Sequence, residues 1–209
     1  MVILGIDQSL SCSGLCLLKD GKIIKIGVAE TKPNIIDFSK GQTKEVVTTL
    51  YNRFPEKKRK LLELHDDCIK LTIPKSKLTK VDKKLLRMPF DIRSEYILKQ
   101  IQDFVGDVEV DIVVNESISF GSAGQVATLG QLLGKIQGFY LGKFGCITRD
   151  VAPTSLKAFA GKGNYSKDEM YEALTPENQL LVDGYPEKKK DDIVDAMWLA
   201  IYGHEVLNG

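Results

Sequence analysis

Apolar residues open the chain in three short blocks: Val2-Ile3-Leu4 with Ile6, Leu15-Cys16-Leu17-Leu18, and Ile23 through Ala29. Their brevity and their content of Val, Ile, Leu and Cys predict strands over residues 2–7, 13–19 and 22–29. Lys19-Asp20-Gly21-Lys22 is a tight hairpin signal between the last two, so the chain should begin as an antiparallel meander. The pattern then breaks. From Thr31 to about Pro89, lysine clusters and prolines (Pro33, Pro55, Pro74, Pro89) separate patchy apolar residues, and Lys57 to Leu71 is the part with helical character. Order returns at Ile92, where Ile92, Tyr96, Ile97, Ile101 and Phe104 fall near helical spacing and predict an amphipathic helix to Val105. Residues 108–114 and 146–151 read as strands. Residues 123–140 read as a helix with Gly130, Gly134 and Gly138 at every fourth position, a spacing that lets another element approach closely. Pro153 opens a short helix to Phe159, and Ser166-Lys167-Asp168-Glu169 has the form of a capping box before another. Asp191 to about Tyr202 reads as a last helix ended near Gly203. This order predicts an α/β protein: a mixed sheet covered by helices, in one domain over residues 1–209, with a basic insertion at about 31–89 between the third strand and the first core helix.

Composition narrows the class. A chain of 209 residues buries roughly 70% of its unfolded surface and builds a core without staples. A hydrophobic fraction of 43% with 27% charged residues fits an ordinary globular protein. No apolar run reaches the roughly 20 residues of a membrane span, and Asp7 interrupts an N-terminal run already too short for a signal peptide. The expectation is a cytoplasmic protein, of a bacterium or a virus-infected host cell, with no membrane contact. Cys12, Cys16, Cys68 and Cys146 lack zinc-type spacing and read as free thiols of a reducing compartment. His65 and His204 have no sequence partners and receive no role. Net charge is near zero but uneven. Residues 53–93 carry 13 Lys and Arg against 6 Asp and Glu, and the remainder carries 16 against 22. A basic segment beside an acidic remainder points to a polyanionic partner, with a solvated face as the plainer alternative.

Four acids stand out by position. Asp7 and Glu116 each follow an apolar run directly, and Asp192 and Asp195 lie three apart, hence as neighbours on one helix face. Singly, Asp7 also fits a turn cap, Glu116 a solvated strand end, and Asp191 or Asp192 a helix N-cap. Asp195 is different, because Ile193, Val194 and the run from Ala196 to Ile201 make its helix apolar almost all round. A buried carboxylate without a partner is costly. Acids that converge need a counter-charge, and an all-oxygen ligand set selects Mg²⁺ or Mn²⁺ over zinc. Paired ions about 4 Å apart serve phosphodiester hydrolysis, and the basic segment supplies a reason for the phosphodiester.

Taken together, ILGIDQSLSCSG (3–14), VVNES (113–117), LGQLLGKIQG (129–138), APTSLK (152–157) and DDIVDAMWLAI (191–201) resemble, in order, the RuvC family of Holliday-junction resolvases in the RNase H-like nuclease superfamily. The resemblance covers residues 1–31 and about 92–203. It implies an RNase H-like mixed sheet with helices on both faces. It implies a homodimeric, Mg²⁺-dependent endonuclease (Mn²⁺ substituting, two ions per site) that cuts four-way or branched DNA by paired symmetric nicks, leaving 5′-phosphate and 3′-hydroxyl ends, without a small-molecule cofactor. Asp7, Glu116, Asp192 and Asp195 fall on the family's metal-binding acids, the acid-x-x-acid spacing selecting Asp192 over Asp191. Asp7 with Asp192 or Asp195 would hold the ion that activates water, and Glu116 would help hold the second. Lys157 and Lys167 fall near two lysines that act at the cleaved phosphate. Phe120 lies about one residue from an aromatic that stacks on junction bases, with core packing as its alternative. Two departures stand out: Gln8-Ser9 replaces the usual Pro-Gly, and the basic stretch, in which Lys57, Lys58, Arg59 and Lys60 are candidate DNA contacts, is longer than in bacterial relatives. The length fits a viral variant. The alternatives are a broader branched-DNA endonuclease, a junction-binding protein with structural acids, and an actin-like nucleotide-binding kinase or ATPase, for which the opening GID is the signal and the chain's shortness the objection.

Overall fold

A computed structural model describes residues 1–118 and 126–207. In chain order its elements are β1 (Val2–Asp7), β2 (Cys12–Lys19), β3 (Lys22–Glu30), α1 (Ile35–Ser39), α2 (Lys44–Arg53), α3 (Glu56–Arg59), β4 (Leu62–Leu64), β5 (Ile69–Leu71), α4 (Lys80–Leu85), α5 (Phe90–Val105), β6 (Ile112–Glu116), α6 (Val126–Phe144), β7 (Ile147–Val151), α7 (Pro153–Ala160), α8 (Lys167–Glu172), α9 (Pro176–Asp183) and α10 (Glu187–Leu207). The chain divides into two compact units, Met1–Glu30 with Ser94–Gly209, and Thr31–Arg93. No helix among the described residues is long and apolar enough to cross a membrane.

The first unit is built on a five-stranded sheet of order β3-β2-β1-β6-β7. The opening meander is antiparallel, and β1, β6 and β7 run parallel, so the sheet is mixed as expected. Asp20 and Gly21 both take positive φ, 50° and 79°, the combination whose twist suits a two-residue hairpin. Alternate residues divide between the two faces. Ile3, Cys16, Leu18, Ile112 and Val114 point toward α10 and share one core with Ile193, Ala196, Met197 and Ala200. Leu156 of α7, Met170 of α8, Leu174 just after it and Val182 of α9 join the same core against α10. That sandwich explains why the helix is apolar nearly all round. Ile26 and Val28 pack on the α10 side, so Gly27 between them faces the other way, where the Phe104 ring of α5 covers it. Gln100 fixes α5 there by a pair of hydrogen bonds with the backbone of Glu30, at 3.0 and 2.9 Å. Helix α6 buries Leu132, Leu133, Ile136 and Tyr140 and is tied to α5 by Lys135, 2.6 Å from Glu95.

Several boundaries differ from the sequence expectation for physical reasons. The last helix begins at Glu187 and passes through Gly203. Gly203 is no stop signal there: a Cβ would press on Val114 and Ile3, so its absence lets the helix lie close on the sheet. Asp192 is therefore within the helix and not its N-cap. Strand β6 begins at Ile112 because Asp111 turns its carboxylate to the Val2 N–H, at 2.6 Å. Of the glycines in α6, Gly130 faces Ile118, but no described atom lies within 4 Å of a Cβ placed at Gly134 or Gly138.

In the second unit the helical character of residues 57–71 is confined to the single turn α3, and the hairpin β4–β5 takes up the rest. Leu62 pairs with Leu71 and Leu64 with Ile69, which puts four apolar residues on one face at period two. Leu62 and Ile69 are buried, and the Ile69 N–H donates to the buried Ser39 hydroxyl at 2.8 Å.

Gly5 and Gly14 decide how close α10 comes. A Cβ on Gly5 would collide with the Ala196 carbonyl, and one on Gly14 with the Asp192 carbonyl. Gly14→Ala should therefore push the start of α10 off the sheet, an overpacking cost of about 1–3 kcal/mol. For a chain of this size that lowers Tm by roughly 2–12 °C. Gly134→Ala, in open helix, should leave Tm unchanged or raise it. Equal melting shifts in the two variants would refute the close packing of α10.

Candidate active site

The register of the sheet brings two acids to adjacent strand ends. Strands β1 and β6 are parallel, with Ile6 beside Asn115, so Asp7 and Glu116, the last residue of each, are neighbours. Both alternate onto the face that carries α10, Asp7 following Gly5 and Glu116 following Val114. On its other side Asp7 pairs with Gly14, and Gly14 is the residue over which the Asp192 backbone lies. Asp195 is one turn farther along α10, next to Ala196, whose carbonyl covers Gly5. Two strand ends and one helix thus bring Asp7, Glu116, Asp192 and Asp195 together, each partly buried.

Their electrostatics follow from that crowding. Burial, then repulsion from Asp195, Glu116 and Asp192, holds the Asp7 carboxyl well above the ordinary carboxylate range. Burial and Asp195 raise Glu116 to about 7, against the pull of Lys157 and Lys167. Asp195 is raised to about 6, first by burial, with Asp191 and Asp192 adding to the rise and Lys167 and Lys157 opposing it. Burial also raises Asp192, which accepts a hydrogen bond from the Cys12 thiol. That thiol is itself pushed up to about 12, by burial first. No ion pair among the described residues includes any of these four acids. Nor do three Asp, Glu, His or Cys side chains among the described residues close into a metal-holding group. The acids stand within electrostatic reach without converging on a point. The donor chemistry nevertheless fits a hard divalent cation: all oxygens, half-buried, and with affinity for positive charge that shows as raised proton affinity.

The lysines flank this cluster. Lys157 is half-buried in α7, and its charge acts on Glu116 and Asp195. Lys167 opens α8 behind Ser166, whose capping box with Glu169 is present as the sequence indicated. Its ammonium is 2.8 Å from Asp191, and that hydrogen bond raises its pKa. Phe120 lies outside the described residues. In the second unit, Lys57, Lys58 and Arg59 belong to α3 and Lys60 caps it. Lys58 sits over the Phe54 ring at 5.3 Å and Arg59 near Tyr51 at 6.0 Å, so half of that cluster is engaged with aromatic faces.

Three residues escaped the sequence reading. The Gln8 amide donates to the Glu116 carbonyl, tying together the two strand ends that carry acids, and Gln8 is buried. Its position directly after a strand-end acid was the available signal. Asp191 holds Lys167, which the doublet Asp191-Asp192 hinted at. Cys12 touches Asp192, and sequence spacing gave no indication of it.

No family model matches the sequence, and no curated protein matches it at significant similarity. Two solved structures of Thermus thermophilus RuvC are similar to it in fold. One covers 97% of this chain and 95% of its own at 16% identity and a TM-score of 0.51. The other, in complex with Holliday junction substrate, covers 97% and 94% at 16% identity and a TM-score of 0.53. The chain has the fold of RuvC, an α/β fold of the RNase H-like type.

Proposed function

We propose that this protein is a Mg²⁺-dependent, structure-selective DNA endonuclease that resolves Holliday junctions by paired symmetric nicks. The observation that carries the reading is the crowding of Asp7, Glu116, Asp192 and Asp195 within electrostatic reach on one face of the sheet, with proton affinities raised by burial and mutual repulsion. These residues would hold two Mg²⁺ or Mn²⁺ ions, whose chemistry when bound is activation of water and stabilisation of the departing 3′ oxygen. Lys157 and Lys167 contribute positive charge beside the acids, where a phosphate would lie. Lys167 starts from its ion pair with Asp191 and exchanges that partner for phosphate. Gln8 keeps the two strand ends, and so Asp7 and Glu116, in register. Products carry 5′-phosphate and 3′-hydroxyl ends. Two copies of the chain supply the two nicks, and Phe120 is assigned to base stacking at the junction.

A synthetic four-way junction incubated with the protein in Mg²⁺ and in EDTA tests this. Cleavage in Mg²⁺ alone is expected. Binding without cleavage in either buffer would make this a junction-binding protein whose acids are structural.

A further inference from the structure

We infer that the cationic face of α4, together with Arg87 just beyond its C-cap, is a DNA-backbone site, distinct from the Lys57–Lys60 cluster, that grips phosphates of the branched substrate. The inference deepens the junction-nuclease reading and rests on it. Lys80, Lys83 and Lys84 fall at i, i+3 and i+4 of α4, on one helical face, and Arg87, just past the Leu86 C-cap and bridged to Asn34, borders the same hollow. All four are exposed, and together they line a single hollow of about 250 Å³ that no acid borders. None of them takes part in an ion pair among the described residues.

The acid of this helix is spent elsewhere. Asp82 closes a reciprocal cap with Thr79, accepting from its N–H at 2.8 Å and its hydroxyl at 2.7 Å, and those bonds hold its carboxyl below the ordinary range. Like charges at these spacings destabilise a helix, so the face carries an electrostatic strain that a polyanion would relieve. The far side of the segment is anchored. Leu86 and Met88 are buried, the Leu86 carbonyl accepts from the Ile35 N–H at 3.1 Å, and the Met88 N–H donates to the Pro33 carbonyl at 2.9 Å. The cations are therefore presented on a fixed scaffold within the second unit.

Their reach favours a nucleic-acid backbone over a single phosphate. The six residues of α4 span about 9 Å, so with Arg87 beyond its end the cations reach about three phosphates along one strand at ~3.4 Å of axial rise each. The sequence signal was present in the surplus of positive charge over residues 53–93, but only the structure shows which lysines share a face.

The test is binding of a fluorescent four-way junction in EDTA across a salt series, for the wild type and for the quadruple variant Lys80→Gln, Lys83→Gln, Lys84→Gln, Arg87→Gln. Glutamine keeps helix propensity, and the melting temperature checks the fold. Losing three phosphate contacts should flatten the slope of log affinity against log salt by about 2.7. If the quadruple variant does not fold, Lys83→Gln and Lys84→Gln singly should each flatten it by about 0.9. A folded variant, quadruple or single, with the wild-type slope overturns the α4 site while leaving the nuclease reading standing. A wild type that does not bind the junction overturns the nuclease reading itself. Competition by duplex RNA and not by duplex DNA would assign the face to a different partner and overturn the inference.

Discussion

Asp7→Asn is expected to lose Mg²⁺-dependent cleavage of a four-way junction by about 10³-fold or more, on the order of 4 kcal/mol of barrier, while binding the junction as tightly as the wild type. The asparagine keeps the shape of the side chain and the backbone pairing with Gly14, so sheet and helix positions are preserved. What it removes is the charge most enclosed by the other three acids: the Asp7 carboxyl feels Asp195, Glu116 and Asp192 together. Lys80, Lys83, Lys84 and Arg87 do not act on that charge. Single-turnover cleavage and gel-shift titration of the same junction measure the two halves of the prediction. Retained Mg²⁺-dependent cleavage would sink the assignment of Asp7.

The second large effect is on stability, and its sign follows from the raised acids. Asp7, Glu116, Asp192 and Asp195 all bind protons more tightly in the folded protein than ordinary carboxyls do. Their contribution to stability is therefore complete below about pH 4, where both states are protonated. It is lost as pH rises through the folded values near 6 for Asp195 and 7 for Glu116, because there the unfolded chain has already released its protons and the folded chain must separate charge. Each unit of displacement corresponds to about 1.4 kcal/mol. Discounted for solvent screening of half-exposed groups, the loss from pH 5 to pH 8 in EDTA is on the order of 2 kcal/mol, or about 4–8 °C in Tm. Asp195→Asn should flatten that fall and melt higher than the wild type at pH 8 in EDTA. Millimolar Mg²⁺ should raise the wild-type Tm at pH 8 by mass action and raise the variant's less. Thermal scans at pH 5 and 8, with EDTA and with Mg²⁺, read all four conditions. A wild type that melts no lower than Asp195→Asn at pH 8 in EDTA would remove the repulsion from the account.

Much of the sheet could be read from residue pattern because each strand ends where its chemistry changes. Asp7 and Glu116 stand out as acids after apolar runs, and the hairpin at Asp20-Gly21 as a pair able to adopt positive φ. Asp195 stood out as an acid in an otherwise apolar helix, and the structure explains that helix by layers on both sides of it. The start of α10 is invisible in sequence because Glu187 to Lys190 are all charged and carry no apolar period. Gly203 was misread because a glycine that permits close packing looks in sequence like one that ends a helix. In residues 31–89 the elements are three to ten residues long, too short for a period to declare itself, so the hairpin β4–β5 is not visible in the sequence. Asp191 and Gln8 act through contacts across 24 and 108 positions of sequence, which local spacing cannot reveal.

The four crowded acids are proposed to cut branched DNA. The most direct measurement is nick mapping on a four-way junction labelled in turn on each strand, incubated with the wild-type protein in Mg²⁺ or in EDTA. Nicks at symmetric positions on two opposed strands, ligatable 5′-phosphate ends, and no cleavage in EDTA are expected. Cleavage undiminished by EDTA, or an intact junction in Mg²⁺ despite binding, would contradict it.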